Sequence, residues 1–139
     1  MNSETWDAIR KSAKGLYRST PILLGVILLV GLSNQFIPKE YYSSLFRGEL
    51  LLDSLTGAAL GSILAGNPIS SYVLGGEMLS QGVSLVAITA FIVTWVTVGL
   101  VQFPAESLLL GRKFAITRNV VSFLSAIAVA ALTIGAMML

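Results

Sequence analysis

Charged side chains occur in clusters along the chain, and between the clusters run four charge-free stretches: Ser19 to Pro38, Ser54 to Gly76, Met78 to Ala105 and Asn119 to Leu139, of 20, 23, 28 and 21 residues. A bilayer core about 30 Å thick takes about 20 apolar helical residues to cross, so each stretch is long enough to be embedded. None shows the period-two alternation of a transmembrane β-barrel strand. The pattern predicts an all-α integral membrane protein with three to four membrane-spanning helices.

Ahead of the first stretch, Trp6, Ile9, Ala13, Leu16 and Tyr17 recur at helical spacing among Arg10, Lys11, Lys14 and Arg18. Ser3 is a candidate N-cap, Glu4 and Asp7 suit the positive end of the helix dipole, and Lys14 and Arg18 suit the negative end. Residues 1–18 therefore read as an amphipathic helix at the cytoplasmic interface, preceding one transmembrane domain over 19–139. A basic tail that only sets topology is the alternative.

The segment from Leu51 to Ser80 carries Gly66, Asn67 and Pro68 in succession within charge-free sequence. Gly ends helices, Asn caps their starts and Pro suits the first helical position. One helix should therefore stop near Ala65 and another begin at Pro68, as a broken helix or a re-entrant hairpin. Irregular backbone at membrane depth is tolerated only where protein or a water-filled cavity supplies partners, and helix N-termini attract anionic or carbonyl-like groups. Asn67, Pro68, Ser70 and Ser71 are accordingly candidate substrate-binding residues, with Thr94 and Thr97 as polar lining from the third stretch. A proline kink without a ligand is the competing reading. Gly57, Gly61 and Ala65 recur every four residues, and Ser122, Ala126 and Ala130 do the same; such faces let helices approach closely, and here they are the expected packing surfaces of a homodimer. Glu77 and Glu106 border apolar runs. At depth either would be a candidate for proton coupling; at the interface neither costs much.

Composition narrows the chemistry. With 55% hydrophobic and 12% charged residues and a net charge of +2, nothing points to nucleic acid. The absence of Cys and His removes thiolate and imidazole ligands and nucleophiles. No metal, cofactor or enzymatic constellation is expected, and no phosphate-binding loop occurs. Lipid, a second copy and a small solute are the expected partners. If all four stretches cross, basic residues divide four (Arg10, Lys11, Lys14, Arg18) against five. If Leu51 to Ser80 enters and leaves on one side, Arg112, Lys113 and Arg118 join the N-terminal cluster and the tally becomes seven against two, which obeys the positive-inside rule. That predicts a multi-pass cell-membrane protein with a cytoplasmic N-terminus; an antiparallel dimer of dual-topology subunits fits the balanced tally instead.

The run from Gly57 to Asn119, with Gly61-Ser62, Ala65-Gly66-Asn67-Pro68-Ile69-Ser70-Ser71-Tyr72, Gly75-Gly76-Glu77, Gly82-Val83-Ser84, Ala90-Phe91 and Pro104-Ala105-Glu106-Ser107, resembles one repeat of the YraQ-like permeases, a family that includes organoarsenical efflux permeases. The similarity covers most of the chain after Thr20. Full-size members look like two such repeats in one polypeptide, so the resemblance implies a half-size permease that works as a homodimer, its broken-helix termini forming a shared midplane site. The arsenical exporters carry cysteines near the proline break, where this chain has Asn67-Pro68-Ile69-Ser70-Ser71. Without thiolate, a soft trivalent metalloid has no suitable ligand, and a small polar or anionic solute is the expected cargo. A passive channel and a non-transporting scaffold are the alternatives.

Overall fold

The computed structural model describes residues 3–36, 44–64 and 67–139. Ala65 and Gly66, part of the expected break and packing face, lie outside them. The described residues form six helices and no strand. The chain divides into two compact units, Met1–Phe36 and Ile37–Leu139.

The first unit is one helix, α1 (Ser3–Phe36), with Pro21 inside it. The junction expected between residues 18 and 19 falls within this continuous helix. Proline has no N–H to give to the preceding turn; beside it the Thr20 hydroxyl donates to the Leu16 carbonyl at 2.9 Å. Among its described side chains, Trp6, Leu16, Tyr17, Leu24, Leu28 and Leu32 are all exposed.

In the second unit α2 spans Leu50–Ile63, α3 Pro68–Ser80, α4 Leu85–Thr97, α5 Phe103–Leu110 and α6 Arg112–Met137. Of the described helices, α6 is the one long and apolar enough to cross a membrane, and only 11% of its apolar window is buried. The second and third charge-free stretches do not form single helices. At 1.5 Å per residue, α2, α3 and α4 are each about 20 Å long. The chain turns between α3 and α4 at Gln81–Ser84, where Gly82 has φ 90°, and again at Val98–Gln102, before Pro104 opens α5.

Small residues set the packing. An added Cβ on Gly57 would sit 2.1 Å from the Ala87 carbonyl oxygen, and one on Gly61 2.2 Å from that of Phe91. The α2 and α4 backbones are therefore in direct contact, and the register runs in one direction: Asp53 meets Ser84, Gly57 meets Ala87, Gly61 meets Phe91, and Ser62 meets Leu100. The pair is parallel because α3 carries the chain back, packing on α4 with Gly75 against Ile88 and Ile92. This corrects the expectation that the Gly57–Gly61 face joins two subunits, because α4 of the same chain already occupies it. The second small-residue face is also used internally: Ala130 packs with Ala58, Val86 and Ala90, flanked by Phe123, Ile127 and Ile134. With Asn119 bonded to Gly99, α6 runs antiparallel to α4.

Candidate functional site

The parallel α2–α4 pair has two polar ends, and the expected site residues are divided between them and the packed region. At one end α2 stops at Ile63 and α3 starts at Pro68. Asn67 caps α3, its Oδ1 accepting from the Ile69 N–H at 3.0 Å. Pro68 is exposed at the first helical position. Ser70 and Ser71 are buried, and the Ser71 hydroxyl donates to the Pro68 carbonyl at 2.6 Å. The serines thus pack the first turn of α3 on its inner side.

Thr94 and Thr97 do not join that turn in a common cavity. Thr94 is fully buried where α4 meets Gly61, and its hydroxyl is spent on the carbonyls of Ala90 and Phe91 at 2.8 and 3.1 Å. The Thr97 hydroxyl donates to Val93 at 2.7 Å. All three bonds stay within α4, as is usual for threonine in apolar helices.

Also at the break end, three polar groups on α5 and α6 pin the C-terminus of α4. The Arg118 guanidinium pairs with Glu106 and donates to the Thr97 carbonyl at 3.0 Å. Asn119 donates to Glu106 at 3.1 Å and to the Ala115 carbonyl at 2.9 Å, and accepts from the Gly99 N–H at 3.0 Å. Glu106 is therefore bound to a cation and an amide, and any proton it took up would compete with Arg118. Beside this cluster lies a groove of about 250 Å³, lined by Ser62, Val98, Leu100, Asn119, Val120, Phe123 and Leu124. None of the expected substrate residues lines it.

The other end is built on Asp53, which charge patterning did not single out. Asp53 is 1% exposed. It accepts from the Arg47 backbone N–H at 2.9 Å and from the Ser84 hydroxyl, so one carboxylate joins the segment before α2 to the N-cap of α4. Phe46, Val83, Ala87 and Ile88 close an apolar cluster in the same unit. Glu77 is on α3 near this end, where its Oε1 accepts from Gln81 Nε2 at 3.0 Å and from the Ser80 hydroxyl at 3.2 Å. Glu77 and Glu106, considered together from the sequence, belong to different ends. Among the described residues no cluster of three acidic side chains could hold a metal ion.

No family model, curated protein or solved structure matches the chain.

Proposed function

We propose that the chain is a half-size membrane permease subunit, working as a homodimer, that passes a small polar solute along the α2–α3–α4 bundle. The observation that carries this reading is the hairpin: α2 begins and α3 ends at the Asp53 end, while the chain reverses at the Arg118 end. A hairpin that enters and leaves on one side gives the seven-against-two distribution of basic residues and a cytoplasmic N-terminus. The depth of the bundle supports a path. The apolar part of α6, Val120 to Met137, runs about 27 Å, close to the hydrocarbon thickness, and Arg112 and Lys113 mark its start. The Arg118 end then lies near the cytoplasmic headgroups. The helices α2, α3 and α4 reach only about 20 Å below it, which leaves the Asp53 end some 10 Å short of the far face. Irregular backbone at such a level is stable where water or protein lines it. The groove at the Arg118 end is the solute entrance in this reading.

The exposed apolar surface supports embedding: Leu124, Val129 and Leu132 on α6 and Leu55 and Ile63 on α2 are all exposed, a surface that water disfavours. Solute flux into vesicles containing the purified protein tests the proposal, with small anions, amino acids and arsenicals as cargo. Saturable flux that is lost when Val120→Trp fills the groove is the expected result. Unsaturable flux indicates a channel, and no flux for any cargo leaves a scaffold. A cysteine at Leu139 should label from outside only; labelling from inside only removes the hairpin topology, and labelling from both sides makes the dimer antiparallel.

A further inference from the structure

We propose that the corner formed by α5 and the start of α6 is a binding surface for anionic phospholipid in the leaflet that surrounds the start of α6. This rests on the membrane embedding proposed above, and not on transport. No residue of α5 is buried. Leu108, Leu109 and Leu110 are 87%, 83% and 60% exposed, which is unusual for three successive leucines in a folded chain. Leu100 and Val101 in the preceding turn and Phe114 and Ile116 in the following helix are exposed as well. Directly after the leucines come Arg112 and Lys113, both exposed, across the bend at Gly111 with φ 90°.

Two observations commit the occupant. The first is depth. The Glu106–Arg118 pair and the Asn119–Glu106 bond tie α5 to the first turns of α6, where the charged start of that helix gives way to its apolar run. That level is the boundary of headgroups and acyl chains. An eight-residue helix fixed there has its leucines in the outer acyl region, as interfacial helices do. The second is charge. Arg112 and Lys113 stand beside the leucines without an acidic neighbour in sequence from Ser107 to Arg118, and such pairs attract anionic headgroups. Glu106, the nearest acid, is engaged by Arg118 and Asn119. Apolar side chains for the acyl chain and two cations for the phosphate form one composite surface.

The chain has no cysteine, so single introduced cysteines report without background. Leu109→Cys and, as a depth control, Leu132→Cys on the exposed face of α6 carry an environment-sensitive dye. The protein is placed in mixed phosphatidylcholine and phosphatidylglycerol vesicles in which one lipid or the other is brominated on its acyl chains. Bromine should quench both dyes; at Leu109 brominated phosphatidylglycerol should quench beyond its share, and at Leu132 it should not. The Arg112→Gln/Lys113→Gln variant should reduce that preference about fivefold for each charge removed, while Arg112→Lys retains it. A Leu109 dye in water with a quenched Leu132 dye overturns the proposal and leaves embedding intact. Both dyes in water overturn embedding too. A Leu109 dye shielded from water and bromine alike means that a second copy covers the leucines, and equal quenching by the two lipids removes the anionic preference; either result overturns the proposal.

Discussion

Asp53 and Glu106 stand about 20 Å apart by helix length, at opposite ends of the same parallel pair. Asp53 is 1% exposed and accepts from a backbone N–H and a hydroxyl. The Glu106 side chain is 16% exposed and accepts from a guanidinium and an amide. Asp53 supplies the hydrogen bonds between the chain before α2 and the start of α4, beside the apolar contact of Phe46 with Val83, Ala87 and Ile88. Glu106 is one member of a group in which Arg118 and Asn119 each make further bonds to backbone. The carboxylate with neutral partners is therefore the less replaceable of the two, although Glu106 has the formal ion pair. Removing one partner of a buried hydrogen bond leaves the others unsatisfied, whereas an ion pair with a guanidinium one-third exposed is screened by solvent.

The largest effect should come from breaking what holds the two ends in register. Gly61→Val drives a side chain into the Phe91 carbonyl and should destabilise the protein by about 3 kcal/mol, the upper range for overpacking. Gly76→Ala, with open space around the new methyl group, should be neutral or slightly stabilising. Thermal unfolding in detergent, followed through Trp95 against Phe91, separates them; equal melting would mean that the α2–α4 contact is loose. Asp53→Ala should cost about 2 to 3 kcal/mol by orphaning the Arg47 N–H and the Ser84 hydroxyl, with a double-mutant cycle against Ser84→Ala showing the coupling. Asn67→Ala should cost about 1 kcal/mol as a lost cap, and a reduction of solute flux beyond that loss would place the α3 turn on the path. Glu106→Gln should cost less than about 1 kcal/mol. If it costs more than Asp53→Ala, the ranking of the two ends is reversed.

The helical class and the Asn67 cap with Pro68 in the first turn of α3 were legible because they depend on local signals: composition over a window, and residues with fixed positional preferences. The small-residue faces were legible as packing surfaces, but their partners were not, since a four-residue spacing does not say which helix it meets. The turns inside the stretch from Met78 to Ala105 are not legible, because absence of charge says nothing about direction. They rest on Gly82 and on the Gln102-Phe103-Pro104 start of α5, weak signals inside an apolar run. Asp53 was missed because it follows Leu50-Leu51-Leu52 at the edge of a stretch and reads as a boundary charge; only the parallel return of α4, thirty-one residues on, buries it. The Glu106 partners were hidden for the same reason, twelve and thirteen residues away across a bend at Gly111.

The parallel course of α2 and α4, imposed by the single helix between them, aligns their macrodipoles instead of cancelling them. Asp53 lies in the first turn of α2 and beside the N-cap of α4, so it faces two positive ends, whereas Arg118 reaches the last carbonyl of α4, that of Thr97, near the end of α2. Each charge stands where an aligned pair favours it, by about 0.3 to 1 kcal/mol per terminus. Exchanging the two charges would set an arginine against two positive helix ends and leave the Arg47 N–H and the Ser84 hydroxyl without an acceptor, so the swapped protein should lose its fold at the Asp53 end first.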